Sequence, residues 1–308
     1  MKKAYIDIGT NTVLILLVDV QSDGQYTLLA DECHIARLGE GLSQHAAFLP
    51  AAQERVIKAL LHFQKICQQH HCTHVRLVGT AAFRRAANGA QFVDEILQKT
   101  GFSVEVISGE EEARLISNAT LADFQNLPMP LLTLDIGGGS TEFIVNQQGF
   151  SRELYSLPFG AVRLHEEFLA PQEIPSAENL VALQDFVRVQ VQNVKSQFSS
   201  LPKSMVATAG TPTTAAALIQ HLTEYDADRI HKSSLPIVDL EALFQKLVVL
   251  PLVEREKIPC LPKGRADVIL AGLAILMGVM QGFGFDQTSV SDKGLRHGLL
   301  LENLGKNT

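Results

Sequence analysis

The chain has 308 residues, of which 46% are hydrophobic and 19% charged, so it can bury a sizeable core and form two domains of about 150 residues each. Lysine and arginine number 26 against 33 aspartate and glutamate, and the net charge of −7 argues against nonspecific nucleic-acid binding as the main role. No nucleic acid is therefore expected as a partner, and any anion site is expected to be local.

The first residues, Met-Lys-Lys-Ala-Tyr-Ile-Asp, lack the apolar region of a signal peptide. An apolar run at 268–280 is too short to cross a bilayer and is better interpreted as the central buried helix of a domain. We therefore expect a cytoplasmic protein with no membrane partner.

Residues 5–12, Tyr-Ile-Asp-Ile-Gly-Thr-Asn-Thr, have the pattern of a strand, a tight turn and a second strand. Glycine leaves room for a ligand to approach the backbone amides, so such a turn can hold an anion. Strands are predicted at 3–8, 13–20, 25–31 and 75–79, and a helix at 51–69 after Pro50. This order is typical of an α/β domain.

The segment Cys67-Gln-Gln-His-His-Cys72-Thr-His74 invites a zinc interpretation, because thiolate and imidazole are preferred zinc ligands. Cys67 also continues the apolar helical stripe that starts at Val56, which favours a buried thiol followed by a solvated loop. We favour the second interpretation. The four cysteines are too few for a disulfide framework in a chain this long and are expected to be free thiols.

Two arginines, Arg84 and Arg85, follow the strand predicted at 75–79. In an open α/β sheet ligands gather beyond the carboxyl ends of the strands, so one of these arginines can reach a ligand there. Each of them can equally belong to a solvated face.

Residues 107–114, Ile-Ser-Gly-Glu-Glu-Glu-Ala-Arg, run from a strand end into a helix. Ser108 or Gly109 can cap that helix, and the helix dipole favours glutamates in the first turn. A glutamate held beside a phosphate site can instead orient and deprotonate a water for attack on phosphorus. Both interpretations stay open.

The pattern of the first hairpin recurs at residues 131–143, Leu-Leu-Thr-Leu-Asp-Ile-Gly-Gly-Gly-Ser-Thr-Glu-Phe. The glycines at 137–139 can direct several N–H donors at one anion, and Asp135 at the strand end can hold a hard cation, directly or through water. One copy alone fits an ordinary glycine-rich hairpin with a capping aspartate. Two copies indicate a duplicated domain whose halves face each other across a phosphate-binding cleft.

The second half continues the α/β order. Strands are predicted at 152–157 and 205–208, helices at 177–198 and 268–280, and a strand and a last helix after residue 290. Residues 209–214, Ala-Gly-Thr-Pro-Thr-Thr, form a third strand-to-helix turn, which either holds phosphate or a nucleotide or simply caps its helix.

We predict one domain over residues 1–124 with the C-terminal helix 299–308, and the other over 125–298, with closure around substrate.

Seven motifs in order resemble the exopolyphosphatase / guanosine pentaphosphate phosphohydrolase family, from residue 5 to about residue 301. They are Asp7-Ile-Gly-Thr-Asn-Thr12, Gly79-Thr-Ala-Ala-Phe-Arg84, Ser108-Gly-Glu-Glu-Glu-Ala-Arg114, Asp135-Ile-Gly-Gly-Gly-Ser-Thr-Glu142, Gly210-Thr211, Gly264-Arg-Ala-Asp267 and Ser291-Asp-Lys-Gly-Leu-Arg296. The resemblance implies the actin-like, sugar-kinase-like α/β fold, with two ribonuclease-H-like domains and the active site between them.

By this resemblance Glu112 matches the catalytic base. Asp135 and Glu142 match residues near the divalent metal, with Asp7 opposite, and the cofactor is expected to be Mg²⁺ or another divalent cation such as Mn²⁺. Phosphoryl transfer needs positioning, charge neutralisation and an oriented nucleophile, and these groups can supply the last two.

Arg84 and Arg265 match family arginines that line the phosphate path. The phosphate-binding positions implied by the resemblance lie in three turns: Gly9, Thr10, Asn11, Thr12, Gly137, Gly138, Gly139, Ser140, Thr141, Gly210 and Thr211.

The sequence departs from the family pattern in two places. Many members carry arginine or histidine where this chain has Leu14, so one phosphate contact is missing or comes from Arg37 or Arg85. The chain also ends at Thr308, without the extra C-terminal helical domains of long members, so processive work on long polyphosphate is not expected.

The favoured function is hydrolysis of the terminal phosphate of inorganic polyphosphate or guanosine pentaphosphate, and the sequence does not separate these two substrates. The alternatives are a kinase on the same fold and a non-catalytic sensor of guanosine tetraphosphate or polyphosphate. A homodimer is left open.

Overall fold

The computed structural model describes residues 1–147 and 152–305. The chain forms two compact units, the first from Met1–Ala119 and the chain from Leu295 onward, the second from Thr120–Gly294. The sequence prediction places the corresponding divisions after residues 124 and 298. The end of its C-terminal helix, residues 306–308, lies outside the described part of the chain.

The strands are β1 (Lys2–Ile8), β2 (Thr12–Val20), β3 (Tyr26–Ile35), β4 (His74–Gly79), β5 (Val104–Val106), β6 (Leu131–Ile136), β7 (Thr141–Asn146), β8 (Arg152–Leu157), β9 (Ser204–Thr208), β10 (Ser234–Pro236) and β11 (Gln287–Ser291). The helices are α1 (Leu42–His45), α2 (Pro50–Gln69), α3 (Ala81–Arg85), α4 (Gly89–Thr100), α5 (Gly109–Phe124), α6 (Ala161–Leu164), α7 (Ala177–Lys195), α8 (Gly210–Ile219), α9 (Ala227–Ile230), α10 (Ile237–Val248), α11 (Leu252–Arg255), α12 (Ile269–Phe283) and α13 (Leu295–Asn303). A π-helical turn, His165–Leu169, follows α6.

The first unit is built on a five-stranded mixed sheet with the order β3-β2-β1-β4-β5. Strands β1 and β2 form an antiparallel hairpin that β3 extends, whereas β4 and β5 run parallel to β1. Helix α2 begins at Pro50, a position where the missing N–H breaks no hydrogen bond, and buries Leu60 and Phe63 in the core with Ile6 of β1.

The second unit repeats this arrangement. Strands β6 and β7 form a hairpin that β8 extends, and β9 and β11 run parallel to β6, with β10 as an added antiparallel edge strand. The two hairpins predicted from the sequence are therefore the first two strands of two copies of one sheet order. This repeated order is that of ribonuclease-H-like domains, and it confirms the predicted α/β class with two such sheets.

The apolar run near residue 270 forms the central helix of the second core, as predicted. Nearly every side chain of α12 is buried, and the helix ends at Gly284, whose φ of 81° fits the left-handed turn that commonly closes a helix. Valines of α7 pack so closely on α12 that a Cβ at Gly278 would meet Val187 Cγ1 at 2.5 Å. Within the described residues no helix is both long and apolar enough to span a membrane.

The last helix returns to the first unit. Gly298 of α13 lies against the backbone of α5, where a Cβ would stand 2.1 Å from the Leu115 carbonyl oxygen. Buried Arg296 donates a hydrogen bond of 2.8 Å to the Ile15 carbonyl oxygen and forms an ion pair with Asp31. Helix α13 is thus fixed to α5 by a close backbone approach and to the sheet by a buried cation.

Candidate active site

The turn of the first hairpin is closed on itself and supported by the segment that follows β3. The Gly9 N–H donates to the Thr12 carbonyl at 2.9 Å, and the Thr10 carbonyl accepts from the Gly39 N–H at 2.8 Å. A Cβ at Gly39 would stand 2.2 Å from Thr10 Cγ2, so this close approach requires glycine. The structure therefore holds the predicted phosphate-binding residues 9–12 in one supported turn.

Arg37 lies at this turn. Its backbone N–H donates to the Asn11 carbonyl at 2.9 Å, and its φ of 51° is unusual for a residue other than glycine. Leu14, the departure from the family pattern, is the direct register partner of Asp7 across β1 and β2. Of the two arginines named as substitutes for the missing contact, Arg37 thus adjoins the predicted phosphate turn.

The carboxyl ends of three parallel strands meet at one edge of the first sheet. Ile8 pairs with Gly79, and Gly79 pairs with Val106. The Thr80 hydroxyl approaches the Ile8 carbonyl oxygen at 3.5 Å. This is the edge at which ligands bind in open α/β sheets, and α3 and α5 both begin there.

Glu112 and Arg84 form an ion pair at this edge. Arg84 Nη2 donates to Glu112 Oε2 at 3.0 Å, and Arg84 Nη1 donates to the Ile107 carbonyl oxygen at 2.7 Å. Glu112 is buried, and this burial raises the pKa of its carboxyl above the ordinary value, although the Arg84 guanidinium opposes the shift. A carboxylate with a raised pKa suits proton abstraction near neutral pH.

The neighbouring glutamates have other surroundings. Glu110 is exposed, whereas Glu111 accepts two hydrogen bonds from Arg114, at 2.6 and 2.8 Å. The Ser108 hydroxyl accepts from the Glu111 N–H at 3.1 Å, as expected of a helix N-cap. A purely structural role, as acidic residues in the first turn of a capped helix, therefore describes Glu110 and Glu111. Glu112 differs from both in its burial and in its partner.

In the second unit Asp135 and Glu142 are direct register partners on β6 and β7. Residues paired in this way carry their side chains on the same face of the sheet, with Cβ atoms about 4.5–5.5 Å apart. Glu142 is buried and accepts a hydrogen bond of 3.0 Å from the hydroxyl of Ser156, its register partner on β8. Two like charges placed opposite each other are destabilising unless a cation compensates them.

The glycine turn between these strands is anchored to α6. The Gly137 carbonyl accepts from Ala161 N–H at 2.9 Å, and the Gly138 carbonyl accepts from Val162 N–H at 3.0 Å. In a trans peptide the next N–H points opposite to the carbonyl, so the amides of Gly138 and Gly139 point away from α6. A Cβ at Gly160 would stand 2.2 Å from the Gly137 oxygen, which explains the glycine there.

The hydroxyls beyond this turn have structural partners. Thr141, one of the predicted phosphate-binding residues, is buried, and its hydroxyl donates to the Phe159 carbonyl at 2.8 Å. The Gly137 N–H donates to the Ser140 carbonyl at 3.0 Å, which closes the turn. At Thr141 a phosphate contact would therefore come from the backbone amide, because its hydroxyl already has a partner.

Arg265 lies against the start of α8. A Cβ at Gly210 would stand 2.9 Å from Arg265 Nη2, and Arg265 Nη1 donates to the Thr214 hydroxyl at 3.0 Å. Thr211 packs instead on α12, where its Oγ1 would stand 2.2 Å from a Cβ at Gly272. The structure thus brings Arg265 and Gly210 together and places the Thr211 side chain in a helix contact.

Sequence reasoning missed several polar groups near these strand ends. β6, β9 and β11 run parallel, and the Thr208 hydroxyl at the end of β9 donates to the Lys293 carbonyl at 3.3 Å. The Tyr225 hydroxyl hydrogen-bonds to Asp292, which follows β11 directly. The motif at 291–296 marked Asp292 as a family position, but no pattern pointed to Tyr225 or to Ser156.

Asp135 and Glu142 fit a magnesium ion. Both are hard oxygen ligands on one face of the sheet, and Mg²⁺ is commonly held by one or two carboxylates together with waters and substrate phosphates. Asp7, the third predicted ligand, belongs to the first unit, at the carboxyl end of β1.

Two ribonuclease-H-like units, each with an aspartate-bearing hairpin and a supported turn at a strand end, define the class of two-domain phosphoryl-transfer proteins. The Ppx/GppA phosphatase family matches residues 17–307, and the chain belongs to this family. The resemblance inferred from seven motifs and the prediction of a phosphohydrolase are thereby confirmed.

Individual relatives agree with this membership. Exopolyphosphatase 2 of Mycobacterium tuberculosis is 31% identical over 98% of this chain and 98% of its own. A guanosine-5'-triphosphate,3'-diphosphate pyrophosphatase of Vibrio vulnificus is 30% identical over 98% of this chain and 59% of its own. Among solved structures, the Aquifex aeolicus member of the Ppx/GppA family has a TM-score of 0.81 at 30% identity, covering 100% of this chain and 99% of the other. An exopolyphosphatase from Cytophaga hutchinsonii has a TM-score of 0.88 at 25% identity, with the same coverage.

Proposed function

We propose that the protein removes the terminal orthophosphate of inorganic polyphosphate or guanosine pentaphosphate, using a water that Glu112 deprotonates. The water oxygen forms a bond to the terminal phosphorus while the anhydride P–O bond breaks. One water proton moves to the Glu112 carboxylate, and the electron pair of the broken bond stays on the leaving phosphate oxygen.

The surroundings of Glu112 carry the proposal. A base must be ionised yet have a pKa close to the working pH, and burial raises the pKa of Glu112 while Arg84 holds the carboxylate in one orientation. Neither neighbouring glutamate combines burial with such a partner. Because Arg84 binds Glu112 and the Ile107 carbonyl, we assign it the positioning of the base besides its predicted contact with phosphate.

The remaining groups have distinct roles in this proposal. Asp135 and Glu142 would hold Mg²⁺, which would supply charge neutralisation to the phosphate oxygens. The amides of the turns at 9–12 and 137–141 bind phosphate oxygens, and Arg37 supplies the positive charge that Leu14 does not. Arg265, placed by Gly210 and Thr214, binds phosphate from the second unit.

Phosphate release with Mg²⁺, on polyphosphates of several lengths and on guanosine pentaphosphate side by side, tests the proposal and ranks the substrates. We expect release from at least one of them and its loss in Glu112→Gln. Absence of release from all of them would refute the proposal. Phosphate transfer from ATP to an added acceptor would indicate a kinase instead.

A non-catalytic sensor is the second candidate, and the position of Leu14 favours it. Leu14 stands opposite Asp7, at the position where the family pattern described above has arginine or histidine. A phosphate can therefore be held there without the positive charge that assists its transfer. Tight binding of guanosine tetraphosphate or polyphosphate with no phosphate release would identify the sensor.

A further inference from the structure

Three side chains of the first unit, none of them assigned to phosphate chemistry, gather on one face of its sheet. Glu32 and His34 are two residues apart on β3, so they project from the same face of the sheet, and His62 projects from α2, which lies on that face. Among residues 1–147 and 152–305, this is the one group of three or more histidine, cysteine, aspartate or glutamate side chains whose donor atoms all lie within 4.8 Å of one another. We call it the His–Glu cluster.

The donor atoms of the His–Glu cluster are close enough to share one ion. Glu32 Oε2 lies 2.8 Å from His62 Nε2 and 3.4 Å from His34 Nε2. The ring centroids of the two histidines are 5.1 Å apart. Buried Phe63 packs edge-on against His34, also at 5.1 Å, and so restricts the orientation of that ring.

These spacings match a tetrahedral transition-metal site. Zinc bound to nitrogen and oxygen ligands at about 2.0–2.1 Å has ligands about 3.4 Å apart along the edges of the tetrahedron. The distance of 3.4 Å from Glu32 Oε2 to His34 Nε2 equals that edge. The distance of 2.8 Å from Glu32 Oε2 to His62 Nε2 is shorter, and small side-chain rotations can lengthen it. Two imidazoles and one carboxylate are a known donor set for zinc, with a fourth position left for water.

We propose that Glu32, His34 and His62 bind a zinc-class divalent cation, such as Zn²⁺, Co²⁺ or Ni²⁺, at a site separate from the one proposed for magnesium. Imidazole selects such ions over Mg²⁺, which prefers oxygen ligands only. The bound ion connects the edge strand β3 to helix α2. Each ligand side chain is between 39% and 47% exposed, so the ion reaches the site directly from solvent.

The site differs from the zinc cluster that the sequence suggested. In the described part of the chain, the donor atoms of Cys67, Cys72 and His74 do not all lie within 4.8 Å of one another. The alternative to a metal site is a Glu32 carboxylate that is hydrogen-bonded by the two histidines without a metal. A metal titration distinguishes the two, because only the metal site binds the ion.

The test is a titration of the purified protein with Co²⁺, followed by visible absorption, in excess Mg²⁺ that saturates carboxylate-only sites. We expect one Co²⁺ per chain with the intense absorption of a tetrahedral ion, displaced by Zn²⁺. His34→Ala and His62→Ala should each weaken Co²⁺ binding by at least about 10- to 100-fold. Loss of a residue that only hydrogen-bonds a metal ligand already has an effect of that size, and these histidines are proposed to be ligands themselves.

His74→Ala is the matched control, because it removes an exposed histidine of the same unit outside the cluster. Glu32→Gln is a second probe that keeps the side-chain shape, and it should also weaken binding. Wild-type protein without the absorption band, or a band that survives in His34→Ala and disappears in His74→Ala, would overturn the proposal. Neither result depends on phosphate release, so it leaves the proposed hydrolase function untouched.

Discussion

Arg84 donates one N–H to the Glu112 carboxylate at 3.0 Å and another to the Ile107 carbonyl at 2.7 Å, so a single guanidinium connects α3, the end of β5 and α5. The carboxylate is buried and Arg84 is its partner. A buried charge that loses its ion-pair partner is strongly disfavoured, so the two side chains are expected to respond together to mutation.

Glu112→Gln should reduce phosphate release by about 10² to 10⁴-fold, because a proton acceptor of the proposed kind contributes that much. Binding of polyphosphate should survive, since the proposed amides, arginines and metal are unchanged. Turnover number and binding are measured separately. Glu110→Gln is the matched control, because Glu110 is exposed on the same helical turn, and a larger loss there would show that the base is misplaced.

Arg84→Gln should move the acid limb of kcat/KM to higher pH. The base acts when ionised, so activity falls as the pH drops through its pKa, and burial raises this pKa above the ordinary 4.5. Removing the Arg84 charge takes away the interaction that favours the carboxylate, so the pKa of Glu112 rises further. An acid limb that stays in place, or moves to lower pH, would contradict this assignment.

Asp135→Asn should raise the Mg²⁺ concentration needed for half-maximal phosphate release without unfolding the protein. The change removes one of two paired carboxylates, and so also relieves the repulsion with Glu142. The unfolding midpoint without metal should therefore stay level or rise while the requirement for Mg²⁺ grows. Wild-type activity that persists after chelation of divalent cations would refute the role of metal.

Gly298→Ala should destabilise the protein although alanine is the better helix former. The helix preference is worth about 1 kcal/mol in favour of alanine, but the new Cβ would stand 2.1 Å from the Leu115 carbonyl, and backbone cannot move aside as a flexible side chain can. Overpacking of this kind typically costs about 1–3 kcal/mol. Urea unfolding measures the balance, and an unchanged midpoint would show that α13 can shift on α5.

Cys72 should react with iodoacetamide at unusually low pH. The neighbouring Cys67 side chain is the largest influence on this thiol, and it lowers the pKa of Cys72 below the ordinary 9.0. Alkylation followed by peptide mass spectrometry should show a rate that rises with a midpoint below 9.0, and Cys67→Ala should move that midpoint upward. Cys260, whose pKa is raised by burial, serves as the internal reference.

The repeated hairpins were predictable because each depends on local sequence. An aspartate, a glycine turn and alternating apolar residues determine the strand pairing, and the register of Asp135 with Glu142 follows from the length of the turn. The buried helix α12 was equally clear, since an apolar run too short to cross a bilayer is suited to the interior of a domain. By contrast, no pattern predicted α10, which packs on α12 in the second unit.

The side-chain pairs of the site were less predictable, because they join segments distant in sequence. Arg84 reaches Glu112 only because β4 and β5 are adjacent and parallel, and their order cannot be derived from either motif. His62 approaches Glu32 for a similar reason, because α2 packs on the sheet at β2, the neighbour of β3. The spacing of Glu32 and His34 on one strand face was visible in the sequence, but not that a helical histidine would complete the group.

Because helix α13 belongs to the first unit, that unit can be completed only when the end of the chain has been synthesised. Asp31 leaves the ribosome long before Arg296, its ion-pair partner, and 265 residues separate them. By the time α13 emerges, every residue of the second unit, up to Gly294, has already been translated. Synthesis of the first unit therefore begins first and ends last. Its sheet lacks α13 during most of translation, and a chaperone bound in that interval would protect the exposed surface of the sheet from aggregation.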